Sequence, residues 1–270
     1  MAVFTLVSAT GSPGVTTTAL CLTLAWPRDA VLVDADSCAA QAVLAGYLHG
    51  EQAGMLGLTA LAQAFRDGLD LTSDLPNQMM PLADTQGAAP RRWFVPGFAR
   101  PGSAHLFDAV WPELAAALDD LDDRGIDVII DAGRWAAQGP PASVVAHSRC
   151  LAVVTRTSLR ALAALRLYVP ALTSAVDGSS CRPGIIVVGP GMPYASDEVR
   201  SQFGLPVWGE LPWQPGDAAG LSDGARVKAK PEARALARAG AVTAGTLRGI
   251  AQRWDQQVAR FATPVGAAHV

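Results

Sequence analysis

The stretch Ala9-Thr10-Gly11-Ser12-Pro13-Gly14-Val15-Thr16-Thr17-Thr18 decides how the rest of the chain is read. Ahead of it, Val3-Phe4-Thr5-Leu6-Val7 is a β-branched and aromatic run of the kind that forms a buried strand. Behind it, Ala19 to Ala25 contains no breaker and continues as a helix. A strand, a glycine-rich turn and a helix opening in threonines make the skeleton of a phosphate-binding loop. Glycines let backbone N–H groups close around an anion, and the helix N-terminus adds partial positive charge. Such a loop ordinarily carries a lysine just before the Ser or Thr that holds magnesium. At that place, between Gly14 and Thr16, stands Val15. The cradle is written in the sequence and its central cation is not.

Working outward, Ala30-Val31-Leu32-Val33-Asp34-Ala35-Asp36 reads as a second buried strand ending in two carboxylates. Alternation places Asp34 and Asp36 on one face, with Asp36 at the strand's exit. Ligands of open α/β sheets sit outside the C-terminal strand ends, which gives Asp36 a ligand-facing position. The other reading is an N-cap for a helix starting near Ser37. Ile126-Asp127-Val128-Ile129-Ile130-Asp131 brings another acid to the tip of a rigid strand, as a magnesium-organising carboxylate requires, and Ala132-Gly133-Arg134 follows.

Further strands are expected at Gln78–Leu82, Arg92–Val95, Leu151–Arg156, Gly184–Val188 and Pro206–Leu211, with a loop over Ala83–Pro90. Helical spacing joins Leu58, Leu61, Ala62 and Phe65. It also predicts one long helix through Leu106, Val110, Leu114, Leu118 and Leu121. That helix ends in Asp119, Asp120, Asp122 and Asp123, which oppose its dipole at a cost of about 0.3–1 kcal/mol per close charge, so a solvated or partner-facing end is expected. Ser158 is placed to N-cap a helix running toward Pro170, and a short helix covers Asp197–Phe203. Strands alternating with helices predict an α/β fold: a mostly parallel twisted sheet with helices on both faces. One domain over residues 1–263 is expected, with a flexible tail over 264–270.

The chain has 270 residues, half of them hydrophobic and few aromatic, so its core is built from Ala, Val and Leu. Net charge is -3, yet Arg226, Lys228, Lys230, Arg234, Arg238, Arg248, Arg253 and Arg260 face only Glu232 and Asp255 after position 225. The two lysines of that segment are the only ones in the chain, and neither can stand in the loop by sequence position. Cys21, Cys38, Cys150 and Cys181 have no C-x-x-C or metal spacing and read as small buried residues in a reducing compartment. The N-terminus lacks a basic leader region, and no stretch approaches the roughly 20 apolar residues of a membrane span. A cytoplasmic protein is expected.

Taken together, Thr10-Gly11-Ser12-Pro13-Gly14-Val15-Thr16-Thr17, Val33-Asp34-Ala35-Asp36 and Asp127-Val128-Ile129-Ile130-Asp131 resemble the deviant-Walker P-loop ATPases of the ParA/MinD family. Ala152-Val153-Val154-Thr155 and Gly204 to Pro212 extend the likeness over nearly the whole chain. Order and spacing carry it more than any single motif. Similar proteins place partition complexes, septum regulators, flagella or pili, and the pilus-associated CpaE/TadZ-like relatives often carry altered loops. Iron–sulfur reductases of this superfamily have paired cysteines, and its tyrosine kinases a tyrosine-rich tail; neither pattern is present.

The resemblance implies ATP and Mg2+ as ligands and a homodimer as the working form. Gly11, Ser12, Gly14, Val15, Thr16 and Thr17 match the nucleotide-binding positions. Thr16 matches the magnesium hydroxyl, Asp131 the second-shell magnesium carboxylate, and Asp36 the acid that orients the attacking water. Val15 and Thr10 stand where the family has its two lysines. Gly189 replaces an Asn near the adenine, and Gln214 a proline-flanked Asp. A charge-assisted hydrogen bond to phosphate is worth roughly 1.5–3 kcal/mol, so ATP binding is expected to be weak or absent and hydrolysis slow or absent. Arg134 and Arg156, after strand ends, are the candidate substitute cations.

At the C-terminus, Leu247, Ile250, Trp254, Val258 and Phe261 recur at a 3–4 spacing beside Arg248, Arg253 and Arg260. A final helix packed on the sheet is one reading. A membrane-surface helix, a partner-docking face, or sequence-independent contact of the basic segment with nucleoid DNA or anionic lipid are the others.

Overall fold

The computed structural model describes residues 2–9, 13–51, 56–82, 90–100, 102–121, 123–135, 139–225 and 234–262, with side chains described as far as 257. The tail expected over 264–270, the Ala83–Ala89 part of the expected loop, and Thr10, Gly11, Ser12, Asp122, Arg226, Lys228, Lys230 and Glu232 lie outside the described residues. So do the side chains of Val258, Arg260 and Phe261.

Eight strands form the sheet: β1 (Val3–Ser8), β2 (Ala30–Asp34), β3 (Met80–Pro81), β4 (Arg92–Val95), β5 (Asp127–Arg134), β6 (Cys150–Arg156), β7 (Arg182–Val188) and β8 (Val207–Leu211). Their order is β3-β4-β2-β5-β1-β6-β7-β8, parallel throughout except for the two-residue edge strand β3. β1 lies between β5 and β6, and every residue of it is buried. Burial on both faces is what a near-continuous apolar strand predicts. Register brings Asp131 beside Leu6 on one flank and Asp34 on the other, so the carboxylates of two neighbouring strands meet at one sheet edge.

The period-2 alternation of the strands divides the core in two. On one face Phe4, Leu6, Leu32, Ile129 and Ile186 pack beneath α1 (Val15–Leu24) and α9 (Ala235–Ala262). On the other, Val3, Val7, Val31, Val33, Val128 and Ile130 form a cluster with residues of α2 (Leu58–Arg66), α3 (Leu71–Asp74), α4 (Trp111–Asp120), α5 (Ala142–His147), α6 (Leu159–Val176) and α7 (Ser196–Phe203). A short π-helical turn at Val43–Tyr47 and α8 (Pro215–Ser222) complete the described elements around the first helix.

Three expectations need correction. The long helix from Leu106 does not form: Ser103–Phe107 is a 3-10 turn, and α4 starts at Trp111 with Pro112 at its start, where proline's missing N–H costs nothing. Leu106 is 75% exposed, while Phe107 next to it is buried against Phe98 and Trp111 at 5.5 and 4.7 Å between ring centroids. Second, Cys38 is exposed, unlike the other three cysteines. Third, α6 continues through Pro170 and reaches the length and apolarity of a membrane-crossing helix. In the fold its Leu165 and Leu172 are buried, and it packs against β6 and β7. Ser158 does cap it, accepting from the Ala161 N–H at 3.4 Å.

α9 packs on β8 and α1 through buried Leu236, Ala244, Leu247 and Ala251. Among its described side chains one arginine, Arg248, is turned into the protein, while Arg238 and Arg253 are exposed. Arg248 pairs at 3.1 Å with Asp127, a fully buried carboxylate that also accepts from the Trp26 indole at 2.8 Å. Trp254 lies under the Arg182 guanidinium at 4.2 Å, and Asp255 pairs with Arg149 at 3.2 Å. The sheet-packing reading of this helix is the one the structure has.

Candidate functional site

Gly14 ends the loop that enters α1 with φ 96°, a left-handed conformation that a side chain would strain. The helix opens with no side-chain cap, and its first intrahelical bond runs from the Thr18 N–H to the Gly14 carbonyl at 2.8 Å. The N–H groups of its first turn are thus left for an anion. Around them lies a cleft of about 470 Å³ lined by Pro13, Gly14, Val15, Thr16, Thr17, Asp36, Gly133 and Arg134. Ser8, Cys38 and the α8 residues Leu221 and Ser222 also reach it.

Val15 is the first residue of α1 and only 6% exposed. It belongs to the apolar cluster of Leu6, Ala19 and Leu22. Thr16, one position on, hydrogen-bonds Asp131, which lies beneath the cleft at 1% exposure. The Gly133 N–H donates to the same carboxylate at 3.0 Å. Burial pushes the Asp131 carboxyl up to about 6, and the Asp36 charge adds to it, against the pull of the Thr16 and Gly133 bonds. A hydroxyl on a carboxylate at the mouth of an anion site is a donor set of hard oxygens that suits magnesium. The side-chain charge a triphosphate needs is absent from position 15. The residues fit the metal and do not fit the phosphates in the way a lysine-bearing loop does.

β2 ends at Asp34, so Asp36 lies beyond the strand and the expected alternation does not place it. The Ala35 N–H bonds to the Asp131 carbonyl at 2.8 Å, and the Asp36 N–H donates to Asp34 Oδ1 at 3.3 Å. The Asp36 carboxylate accepts from the Cys38 N–H at 2.8 Å, closing a turn; no α-helix starts at Ser37. Burial raises its pKa, while the Cys38 bond and the Arg134 charge oppose the rise. Gly133 has φ 63°, and a Cβ there would fall 2.1 Å from the Asp36 carboxyl carbon, so glycine is what lets the two strand ends close. Asp34 is pushed up to about 8, first by burial and then by the Asp131 charge. Among the described residues no group of three or more His, Cys, Asp or Glu is arranged to hold a metal.

The two candidate substitute arginines part company. Arg134 lines the cleft beside Asp36. Arg156 stacks its guanidinium 3.9 Å above the Trp213 ring. Trp213 and Gln214 line a neighbouring recess of about 220 Å³ that shares Pro13, Gly14, Thr17 and Ser222 with the cleft. Gly189 approaches it, with φ 71° and its carbonyl accepting from Thr157 at 2.6 Å. Gly14, Val15, Thr16, Thr17 and Asp36 therefore meet in one place with Asp131 below, while Gly11 and Ser12 lie outside the described residues.

Sequence reasoning missed α8 as a wall, because Pro215-Gly216-Asp217-Ala218-Ala219-Gly220-Leu221-Ser222 has no helical periodicity. It also treated Asp34 as a bystander. The signal was there in Val33-Asp34-Ala35-Asp36, two acids at the end of one apolar run.

No family model matches the chain, and no curated protein matches it. Solved structures do. The cell division ATPase MinD of Pyrococcus furiosus superposes with a TM-score of 0.67 at 19% identity, covering 92% of this chain and 99% of that one. A ParA family ATPase from Chlorobium tepidum gives 0.67 at 20% identity over 90% and 97%. The septum site-determining protein MinD of Pyrococcus horikoshii, complexed with Mg-ADP, gives 0.62 at 19% over 97% and 99%. At these identities the likeness is one of fold. The chain has the ParA/MinD-like P-loop NTPase fold.

Proposed function

We propose that this chain is a ParA/MinD-like positioning protein with a degenerate nucleotide cleft, a pseudo-ATPase that works by protein contacts in partition, septum placement or assembly of a pilus or secretion apparatus. The observation that carries the reading is Val15: a buried hydrocarbon at the head of α1, where phosphoryl transfer needs a cation. On this reading ATP and Mg2+ bind weakly or not at all. Were they bound, Gly14, Thr16 and Thr17, with Gly11 and Ser12, would hold the phosphates. Thr16 and Asp131 would hold the metal, and Asp36 would orient water. The protein is proposed to act in the cytoplasm as a homodimer with a partner protein. Contact with nucleoid DNA or anionic membrane through Arg226, Lys228, Lys230, Arg234 and Arg238 is the further part of the proposal.

The fold similarity to MinD and ParA ATPases supports the positioning role. Turnover of radiolabelled ATP by the purified chain, beside a Val15→Lys variant, tests the pseudo-ATPase reading. No turnover in the unaltered chain is expected, with ATP binding gained by the variant. Brisk turnover in the unaltered chain would sink it.

One observation favours a second reading, an active switch ATPase using arginine for lysine: Arg134 lines the cleft next to Asp36. Under that reading turnover is present and Arg134→Ala abolishes it. Arg156, stacked on Trp213, is the control substitution expected to leave that turnover standing.

A further inference from the structure

α6 is apolar on two opposite sides. Ala161, Leu165, Leu172 and Val176 turn into the core, while Leu159, Ala163, Leu167 and Pro170 recur at helical spacing on the side facing water. Leu159 is 67% exposed and Leu167 77%. The apolar band continues past the start of the helix. Thr157 accepts from the Met192 N–H at 3.1 Å and donates to the Gly189 carbonyl. Met192 and Trp213 flank Gly189, where a Cβ would lie 3.2 Å from the sulfur of one and 3.3 Å from the Cβ of the other. Both of these side chains are exposed. Contiguous exposed apolar surface of this kind marks an interaction site.

Beside the band, α6 and α7 enclose a groove of about 410 Å³, lined by apolar Leu162, Val199 and Phe203 and by Arg166 and Tyr194. The charge of the band has one sign. Arg160 and Arg166 are the only charged residues of α6, and Arg156 lies over the Trp213 ring. None of the three arginines is ion-paired among the described residues. The acids of α7 are already engaged. Glu198, which also lines the groove, accepts from the Ala195 N–H at 2.7 Å, and Asp197 pairs with Arg200 at 2.7 Å.

Shape and charge together select the occupant. A second copy of the same face would set arginine against arginine. A lipid surface is planar and leaves a groove unfilled. Side chains projecting from a helix fill such a groove, and carboxylates beside them meet the guanidinium groups. We propose that the outer face of α6, with the α6–α7 groove, docks an amphipathic helix of a partner protein whose apolar stripe is flanked by Asp and Glu. The proposal rests on the reading above only for the existence of a partner protein, and the ATP measurements that test that reading do not bear on it.

The probe is a synthetic helical peptide of about 18 residues, with Leu at heptad positions a and d and Glu at e and g, followed by fluorescence anisotropy against the full chain. Saturable one-to-one binding is expected, at least about tenfold tighter than that of the same peptide with Lys for Glu. Non-specific attraction to a chain of net charge -3 would favour the lysine peptide instead. Leu159→Asp with Leu167→Asp is expected to weaken binding by about tenfold or more, with the fold retained by circular dichroism because both side chains are exposed. Arg160→Glu with Arg166→Glu is expected to reverse the preference between the two peptides. Absence of saturable binding, equal binding of the two peptides, or binding unchanged by the leucine substitutions would each overturn the proposal. So would binding of phosphatidylglycerol vesicles in place of the peptide, which makes the face a membrane surface, or a dimer that the leucine substitutions dissociate on sedimentation, which gives the face to a second copy. The comparison of the two peptides uses the unaltered chain, so it decides even where a variant fails to fold.

Discussion

Val15 and Thr16 are neighbours in sequence with opposite fates: one side chain joins the core beneath α1, the other bonds Asp131. A Val15→Lys chain has to carry its ammonium out of an apolar cluster and into the cleft, which a flexible four-carbon stem permits. The expected result is ATP affinity raised by about tenfold or more over the unaltered chain, the worth of one charge-assisted phosphate contact. Equilibrium dialysis with labelled ATP measures it. The Asp34–Asp131 pair makes a second prediction at this scale. Both carboxyls have folded-state values raised above the ordinary one, to about 8 and about 6. The folded chain therefore holds more protons than the unfolded one between the ordinary carboxylate range and those values, and its stability falls as pH rises through that window. Asp34→Asn removes the charge and keeps the oxygen that accepts from the Asp36 N–H. It is expected to flatten the decline between pH 5 and 8 and to stabilise the chain at pH 8, as read by urea unfolding at both pH values. An unchanged slope would show the pair to be uncoupled from folding.

Elements differ in how far local pattern governs them. β1, β5 and β6 were legible because apolar runs buried on both faces leave little room for another reading. The segment around Leu106 was misread because Leu106 fits the helical spacing of the four apolar residues that follow it. Only tertiary packing reveals that Phe107, not Leu106, completes the aromatic group with Phe98 and Trp111. Phe107→Ala is expected to cost about 3–5 kcal/mol through the cavity it leaves. Leu106→Asp is expected to stay within about 0.5 kcal/mol, as an exposed substitution does. Denaturant midpoints of the two variants check this directly. α8 was unreadable for a different reason: none of its residues is buried, so no apolar stripe marks it.

Across the molecule, the phosphate cleft was largely visible in the sequence, because a strand, a glycine turn and two strand-terminal acids need only the parallel sheet to bring them together. The partition of the C-terminal charge was not visible. Arg248 and Asp127 are 121 residues apart, and no local pattern announces that the arginine will neutralise a fully buried acid. That contact and the apolar seam of Leu236, Ala244, Leu247 and Ala251 make α9 part of the core. A chain truncated before Ala235 is therefore expected to lose its cooperative thermal transition by circular dichroism. A detachable membrane-surface helix would leave the transition intact.

β3 is two residues long, runs against its neighbour, and has Pro81 as its second residue. Proline has no amide hydrogen to offer an incoming strand, and so short a border presents almost no template for one. At this margin the sheet is closed to extension, so copies of the protein that associate there must do so through side chains and not by sharing backbone, an arrangement that leaves association reversible and guards against fibrous growth.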